Sequence, residues 1–523
     1  MLKARRWLAV TLTLINVTGA QALADEVIDD SVISRLREES FQHSQVNNTI
    51  SYLSDVYGPR LTGTPRYLEM VKWVESRLRS WGIDNIRIES FGEGLRGWEV
   101  EEFSAVMTSP AFMSLNAQPV CCSRSTNGRV SGAVILVDFY DLEALQKLKG
   151  RLRGQILLHP EVTSEIDGET GAWSDERLKR AANRSNPVTP DGLDGPGSTV
   201  TYVERLKQRA TENDQSDRQL AQFLIDEGVA AVLRSSSAPA GVVNGRFDTG
   251  LVEFRRVGDP KPVPFYVIPR EQHARLLAMQ ERSITPELSL NLKTRYYEDP
   301  QLYVNLIAEI PGSDRQLKDE VVFLGAHLDS VETGTGAADN GVGAATSMEV
   351  LRMFKALNLN PRRTIRVGLW GAEEQGLLGS SAYVKRHVGD ILTGEYSPNQ
   401  ENISAYFNHD NNGHDIRGIY LLGHEAIRPI FQAFLNPFAN IGASTVTIEN
   451  AGGTDILVFD ATGIPSFEWI HDPQTYFSHQ LHTNLDVPEL VNIESVQRNA
   501  VIIGSVVYHT AMRDEKLPRK SDR

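Results

Sequence analysis

The sequence predicts an α/β fold in which a mixed, mostly parallel sheet is flanked by helices. Two short apolar runs, 321–324 and 364–370, have the composition of buried strands. The segment between them, 342–357, has the pattern of a helix. A strand, a helix and a second strand in this order make the two strands parallel neighbours. We therefore expect the chain to be organised around this unit.

Residues that can bind metal ions follow both of these strands. His327 and Asp329 follow the first strand, Glu373 and Glu374 follow the second, and Asp339 lies in the glycine-rich segment between them. In open parallel sheets the binding site lies beyond the carboxyl ends of the strands. We expect these side chains to converge at that edge of the sheet.

The first 24 residues have the pattern of a secretory signal peptide. Three basic residues precede an apolar run over 7–17, and the cleavage pattern Ala22-Leu23-Ala24 follows it. The apolar run is too short for a good membrane span. We therefore exclude residues 1–24 from the fold and expect a secreted or periplasmic protein with no transmembrane segment in its mature chain.

The composition indicates a globular protein of two or three domains. The chain has 523 residues, of which 41% are hydrophobic, and its net charge is −14. An acidic chain is poorly suited to nucleic acid, so we expect no such partner. Its two cysteines, Cys121 and Cys122, are adjacent, which predicts neither a disulfide framework nor zinc binding by thiolates.

The order of the elements predicts a main domain that is interrupted by a smaller one. Residues 25–107 are the first part of the main domain, with an amphipathic helix over 67–81 and an edge strand over 86–91. Residues 108–295 contain short strands among Gly, Pro and Ser, which favours an inserted β-rich domain. Residues 296–523 are the main part of the larger domain.

A long polar tract, 164–213, lies within the inserted part, and we expect it to be an excursion with little core of its own. The other predicted elements are strands over 134–137, 156–158, 230–233, 265–268, 305–310, 403–407, 419–422 and 465–470, a helix after Glu374 that ends near 387, and a closing helix over 493–512.

Further candidate ligands follow later strands: Asp410 comes after the strand 403–407, and His482 lies in the loop after 465–470. Two imidazoles and three carboxylates suit two zinc ions, with one carboxylate bridging the ions. Two such ions can generate a hydroxide at neutral pH and polarise a carbonyl group. Of the pair Glu373 and Glu374, one can bind metal while the other acts as general base.

Each of these features also has a purely structural interpretation. A His-x-Asp pattern is often structural, and a Glu-Glu pair commonly begins a helix, where acids favour the dipole. The glycines over 334–343 could form a turn, and no Gly-Lys-Ser/Thr follows them to indicate a phosphate site. The joint occurrence of the ligands at strand ends of one sheet favours the metal site.

Five motifs together resemble the dizinc exopeptidases of metallopeptidase family 28. The motifs are Gly325-Ala326-His327-Leu328-Asp329-Ser330, Ala338-Asp339-Asn340-Gly341, Gly371-Ala372-Glu373-Glu374-Gln375-Gly376, Asn408-x-Asp410 and His482-Thr483-x-x-Asp486. The resemblance looks closest to the plasma glutamate carboxypeptidase subgroup, to which Gly58-Pro59-Arg60-Leu61-Thr62-Gly63 and Gly453-Thr454-Asp455-Ile456 are also similar, and it covers nearly the whole mature chain.

The resemblance implies two zinc ions per chain and a role for each matching residue. His327 and Asp410 would hold one ion, Glu374 and His482 the other, and Asp339 would bridge them. Glu373 would be the general base, and Asp329 would steady His327. The peptide bond between Asp339 and Asn340 is expected to be cis. The inserted domain would match a protease-associated domain, and relatives in this subgroup are often homodimers.

One position departs from the family pattern. Many relatives have a tyrosine immediately before the last histidine ligand, where it helps to stabilise the oxyanion, but this chain has Leu481. Tyr476, in the same loop, is a candidate replacement.

We therefore expect a secreted zinc exopeptidase that hydrolyses short peptides or dipeptides. Two alternatives remain: a receptor-like binding protein on the same fold, and a single-zinc glutaminyl cyclase. The binding-only alternative is disfavoured because all of the ligands and the base are present.

Overall fold

The structure is a computed structural model that describes residues 26–164, 171–185, 202–204, 206–207, 215–238, 241–245, 254–410 and 414–520. The predicted signal peptide and much of the polar tract 164–213 lie outside the described residues. Within these ranges, no helix is both long and apolar enough to cross a membrane.

The described residues form two eight-stranded sheets and one two-stranded sheet. The strands are β1 Asn85–Ser90, β2 Gly97–Ser109, β3 Met113–Ser114, β4 Gln118–Pro119, β5 Val130–Leu136, β6 Ile156–Leu158, β7 Ala231–Ser235, β8 Phe265–Ile268, β9 Glu287–Tyr297, β10 Val304–Ile310, β11 Val321–His327, β12 Thr364–Trp370, β13 Gly389–Asp390, β14 Glu395–Tyr396, β15 Ile403–Asn408, β16 Ile416–Tyr420, β17 Thr445–Thr447 and β18 Ser466–His471.

The helices lie between these strands and at both ends of the described chain. They are α1 Asp30–His43, α2 Val46–Ser51, α3 Pro65–Ser80, α4 Leu142–Gln146, α5 Asp175–Ala182, α6 Gln215–Asp226, α7 Arg270–Glu281, α8 Val342–Ala356, α9 Leu378–His387, α10 Asn399–Asn402, α11 Arg428–Leu435, α12 Ile456–Asp460 and α13 Ile493–Met512.

The central sheet has the strand order β1-β10-β12-β11-β15-β18-β16-β17. Strands β12, β11, β15 and β18 are consecutive parallel neighbours, whereas β1, β10 and β16 pair antiparallel. The predicted mixed, mostly parallel sheet is therefore confirmed, as are the parallel pairing of β11 with β12 and the edge position of β1. The register places His327 opposite Trp370, so both strands end at the same level.

Helices cover both faces of the central sheet. On one face, Met348 of α8 and Val506 of α13 share a buried apolar cluster with Leu324 of β11. Burying a side chain of this size stabilises the fold by about 1.5–3 kcal/mol. On the other face, the ring of Phe459 in α12 stacks on Tyr406 of β15 with centroids 3.7 Å apart. The central strands are thus buried on both sides, which explains their continuous apolar character.

A polar chain of contacts runs through this second face to the end of β15. Trp370 donates its indole N–H to the hydroxyl of Tyr406 at 2.9 Å, and that hydroxyl donates to Asn408 at 2.8 Å. Gly325 leaves room for the ring, because a Cβ there would lie 1.9 Å from the Tyr406 oxygen. The ends of β11, β12 and β15 are therefore locked together below the loops that follow them.

The second eight-stranded sheet is built from residues between β1 and β10. Its order is β3-β2-β9-β5-β6-β7-β8-β4, and the long strands β2 and β9, which the sequence analysis did not predict, pair antiparallel at one side. We propose that this sheet and the helices packed on it are the inserted domain.

Arg60 anchors the loop that leaves β11. The side chain is completely buried, and its guanidinium donates to the carbonyl oxygens of Leu53, Leu328, Thr335 and Gly336 at 2.7–3.0 Å. A planar group with several donors can satisfy carbonyls from three directions at once. Arg60 therefore ties the N-terminal segment to both ends of the loop 328–336.

Replacing Arg60 with methionine should lower the free energy of unfolding by about 3 kcal/mol or more, because each buried carbonyl left without a donor costs about 1–3 kcal/mol. Urea denaturation of the metal-free protein measures the change. Arg66→Met is the matched control, since its side chain is 49% exposed, and it should alter stability by no more than about 0.5 kcal/mol. Equal losses in the two variants would contradict the anchoring role.

Candidate metal centre

The candidate ligands are positioned by the ends of neighbouring strands. His327 is the last residue of β11, Asp410 lies two residues beyond β15, and Glu373 and Glu374 come shortly after β12. Asp339 lies in the turn that precedes α8, and its peptide bond to Asn340 is cis, as expected. His482 comes from the loop after β18. The structure brings all of these side chains to one edge of the central sheet.

The side chains form two groups of three that share one carboxylate. The Nε2 atom of His327 lies 3.1 Å from Oδ1 of Asp339 and 3.0 Å from Oδ1 of Asp410. The Nε2 atom of His482 lies 3.2 Å from Oδ2 of Asp339 and 3.0 Å from Oε2 of Glu374. Each oxygen of Asp339 therefore faces a different histidine.

This arrangement fits two divalent cations better than it fits hydrogen bonds alone. An imidazole Nε2 carries at most one proton, yet each of these nitrogens faces two carboxylate oxygens. Oε1 of Glu374 is buried and has no hydrogen-bond partner among the described residues. Two ligands held at about 2.0–2.2 Å by a tetrahedral zinc ion lie about 3.3 Å apart, close to the separations of 3.0–3.2 Å seen here.

The surrounding charges favour the protonated form of both histidines when no cation is bound. Burial alone would lower the pKa of His327, but the Asp410 carboxylate and its other acidic neighbours raise it well above the ordinary value. Burial likewise opposes a charge on His482, yet Glu374 and Asp339 raise its pKa to about 10. The acidic side chains of the site therefore strongly stabilise a positive charge placed between them.

Glu373 lies beside the two groups of ligands. Its carboxyl group is within ligand distance of His327 and Glu374, but it belongs to neither of the groups that share Asp339. Burial raises the pKa of Glu373 well above its ordinary value, and the negative charge of Asp410 adds to this effect. A partly buried carboxyl group with a raised pKa is suited to accept and return a proton.

Asp329 connects the first histidine to the loop of Glu373. Its Oδ1 atom lies 3.5 Å from Nδ1 of His327 and accepts the backbone N–H of Glu373 at 3.2 Å. Nδ1 of His327 also lies 3.1 Å from the carbonyl oxygen of Asp329. With Nδ1 directed at Asp329, Nε2 is the nitrogen that faces Asp339 and Asp410.

Three further buried carboxyl groups surround the ligands, and the sequence analysis assigned them no role. Asp486 accepts the backbone N–H groups of Ala338 at 2.6 Å and of Asp339 at 3.2 Å, which fixes the turn that carries the shared carboxylate. Burial, followed by the charge of Asp339, raises the pKa of Asp486 to about 7. The motif His482-Thr483-x-x-Asp486 was the sequence signal that could have identified it.

The other two carboxyl groups contact the end of β15 and helix α9. Glu468 accepts the side-chain N–H of Asn408 at 2.7 Å and the backbone N–H of Asp410 at 3.4 Å. Asp455 accepts a short hydrogen bond from the hydroxyl of Ser380. Burial raises the pKa of both acids. Glu468 lies within the apolar strand β18, where no local pattern marks it as part of a site, whereas Asp455 belongs to the motif Gly453-Thr454-Asp455-Ile456 noted in the sequence.

The remaining histidines near the sheet do not join the ligand groups. The rings of His409 and His471 stack with centroids 5.1 Å apart, and burial lowers the pKa of both, so they are neutral. His424 instead faces Asp460 at 3.4 Å.

Tyr476 belongs to the same loop as His482 and turns towards the carboxylates. Its side chain is buried, and its pKa is raised first by burial and then by the charges of Asp339 and Asp410. Its hydroxyl has no hydrogen-bond partner among the described residues. Leu481, immediately before the histidine, has an apolar side chain with no hydrogen-bond donor.

Comparison with known proteins finds similarity along almost the whole chain. Residues 305–507 match peptidase family M28. The chain is 27% identical to carboxypeptidase Q of Mus musculus over 505 residues. The aligned region covers 96% of this chain and 92% of that protein. The matched family region contains every candidate ligand.

Two solved structures share the fold. A peptidase M28 precursor from Shewanella amazonensis superposes with a TM-score of 0.66 and 23% identity, over 94% of this chain and 99% of that one. A zinc aminopeptidase from Bacillus subtilis superposes with a TM-score of 0.54 and 19% identity, over 91% and 96% of the two chains. The three chains therefore share the overall fold.

Proposed function

We propose that this chain, which belongs to peptidase family M28, is a zinc-dependent exopeptidase that hydrolyses short peptides or dipeptides. The observation that carries the proposal is the shared carboxylate of Asp339, whose two oxygens face His327 and His482. A carboxylate between two histidine sites is the arrangement that a pair of metal ions requires.

The donor set assigns a ligand role to each residue. His327 and Asp410 would hold one zinc ion, Glu374 and His482 would hold the other, and Asp339 would contact both. The related aminopeptidase from Bacillus subtilis is described as a zinc enzyme, which supports the choice of metal. When bound, zinc supplies Lewis acidity, which lowers the pKa of water and polarises the carbonyl group of the substrate.

Glu373 then transfers the proton between water and the leaving amine. Glu373 takes a proton from the attacking water as the new C–O bond forms at the substrate carbonyl. When the C–N bond breaks, Glu373 returns that proton to the leaving amine. The raised pKa of Glu373 allows the proton to be held until it is returned. The hydrogen bond from the Glu373 backbone N–H to Asp329 holds the loop of Glu373 beside His327.

Tyr476 is our candidate for stabilising the oxyanion, the role that a tyrosine next to the last histidine serves in relatives. Its hydroxyl, which has no hydrogen-bond partner within the described ranges, is on the same loop as His482, and the ligand carboxylates influence its pKa. A hydroxyl that donates only when negative charge develops on the substrate oxygen stabilises the transition state selectively. Leu481 cannot serve in this way.

We further propose that the protein acts after export from the cytoplasm, as its N-terminal pattern indicates. The complete ligand set and the base give no support to a binding-only receptor. The paired ligand groups also argue against a single-zinc cyclase, which would need only one of them.

Metal analysis combined with a substrate panel tests the proposal. About two zinc ions per chain are expected, together with cleavage of dipeptides. Dipeptides blocked at the amine and dipeptides amidated at the carboxyl end show which terminus is required. A glutaminyl peptide in the panel detects cyclase activity. A protein that binds no zinc and cleaves none of the peptides would overturn the proposed function.

The substitution Glu373→Gln should keep the zinc content and lower kcat by about 10²–10⁴, because the amide cannot accept a proton. His327→Ala, in contrast, should lose zinc and activity together. Atomic emission and steady-state kinetics measure the two effects. Glu69→Gln, at an exposed position of α3, is the control and should behave as wild type. Near-normal turnover in Glu373→Gln would show that another group is the base.

The substitution Tyr476→Phe should lower kcat by about 10²–10³, which is the usual cost of removing one oxyanion donor. KM should change by less than about threefold, because the ground state does not use the hydroxyl. Tyr52→Phe, which removes an exposed hydroxyl and keeps the stacking on Trp73, is the matched control. If Tyr476→Phe mainly raised KM, the hydroxyl would serve substrate binding instead.

A further inference from the structure

The loop 472–484 carries both Tyr476 and His482, and the central sheet alone does not determine its conformation. The other ligands follow strands directly or, like Asp339, lie in a turn fixed by Asp486. His482 is separated from β18 by the whole loop. Hydrogen bonds within the loop are local, such as Leu481 N–H to the carbonyl of Tyr476. Contacts from elsewhere must therefore orient it.

One such contact holds the start of the loop. Gly171 and Gln474 exchange two backbone hydrogen bonds, of 3.0 and 2.9 Å. Trp173 donates its backbone N–H to Asp472 at 2.9 Å and its indole N–H to the carbonyl of His471 at 2.8 Å. We name residues 171–173 the first clamp.

A second contact holds the end of the loop. Gly245 donates its N–H to the carbonyl of His482 at 3.1 Å. Val243 and Asn484 are paired twice: the Asn484 N–H donates to the Val243 carbonyl at 3.1 Å, and the Val243 N–H donates to the Asn484 side chain at 2.7 Å. We name residues 242–245 the second clamp.

Both clamps belong to the chain that lies between strands β1 and β10, outside the central sheet. The second clamp is tied to the second sheet through Ser236, whose hydroxyl accepts the N–H of Asn244 at 2.9 Å. The backbone N–H of Ser236 donates in turn to the carbonyl of Ile268, at the end of β8, at 2.7 Å. The metal-ligand loop is thus connected to a rigid sheet.

Each clamp also acts beside a residue in the left-handed backbone region. Gln474 has φ of +45° and His482 has φ of +58°. Non-glycine residues rarely adopt this conformation and keep it only where surrounding contacts enforce it. The clamps supply such contacts at these two positions.

We propose that the two clamps position the loop 472–484, so that the segment between β1 and β10 controls the metal affinity of the His482 site and the placement of Tyr476. The inference rests on the proposed function for its catalytic consequence. Its structural content, the dependence of the loop conformation on the clamps, stands apart from the reaction. His482 itself binds, whereas the clamp residues act by positioning it.

Gly245→Ala tests the second clamp. A Cβ at Gly245 would lie 1.7 Å from Oγ1 and 3.0 Å from Cβ of Thr333, so the second clamp or Thr333 must shift. We expect one zinc ion to bind about tenfold or more weakly and the other to bind within about twofold of wild type. Amide hydrogen exchange over 481–486 in the metal-free protein should accelerate by about tenfold or more. Activity should recover at saturating zinc.

Two further variants make the test specific. Gly132→Ala introduces the same change in β5, where a Cβ meets no atom within 4 Å, and should leave zinc binding and exchange unaltered. Thr333→Ala added to Gly245→Ala removes the clashing hydroxyl and leaves a Cβ–Cβ contact of 3.0 Å, so it should restore most of the zinc affinity and most of the exchange protection. If Gly245→Ala fails to fold by circular dichroism, Asn484→Ala decides, since it removes only the acceptor of the Val243 N–H.

Trp173→Ala tests the first clamp in the same way. It should accelerate amide exchange over 472–478 and lower kcat, while both zinc ions bind normally. The reason is that the start of the loop 472–484, which this variant releases, lies closer in the chain to Tyr476 than to His482. Unchanged exchange in both variants, together with unchanged zinc binding in Gly245→Ala, would overturn the inference. A wild-type protein without zinc would overturn the proposed function, and the exchange rates would still decide for or against the clamps.

Discussion

The site depends on one carboxylate, that of Asp339, whose two oxygens face two imidazoles 3.1 and 3.2 Å away. For this to happen, the turn before α8 must present the carboxylate between the end of β11 and the loop that follows β18. Asp486 fixes the turn through two backbone N–H groups, and Arg60 holds the preceding loop through its carbonyls. These contacts are made with the backbone, so they fix the position of the turn while both oxygens of the Asp339 carboxylate still face the two histidines.

The same site concentrates acids in a poorly solvated place. Asp486, Glu374, Glu468 and Asp455 all have pKa values raised by burial. A buried carboxylate without a partner is costly, and several together repel one another. Bound cations would offset this cost by supplying the opposite charge. The large apolar clusters on both faces of the central sheet provide the stability that tolerates it.

The two sheets contribute differently to the site. The central sheet brings His327, Asp410 and the two glutamates together because parallel strands end at one edge. Asp329 and Glu468 then accept the backbone N–H groups of Glu373 and Asp410. The loop of His482 and Tyr476 instead bridges to residues around Gly171 and Asn244. One metal group is therefore built almost entirely within the central sheet, while the other shares its support with the second sheet. Through the proposed clamps, the segment between β1 and β10 thus contributes to positioning His482 and Tyr476.

The sequence by itself determined the strand ends and the ligand types, because buried strands leave apolar runs that stop at polar residues. It thereby predicted the parallel pairing of β11 with β12 and the convergence of His327, Glu373 and Glu374. It did not reveal β2, whose run of glutamates masks the strand pattern, or the roles of Asp486, Glu468 and the clamps. Those depend on contacts between residues far apart in the chain. Only the folded structure decides which distant carbonyl or carboxylate meets a given N–H, since no local periodicity records such a pairing.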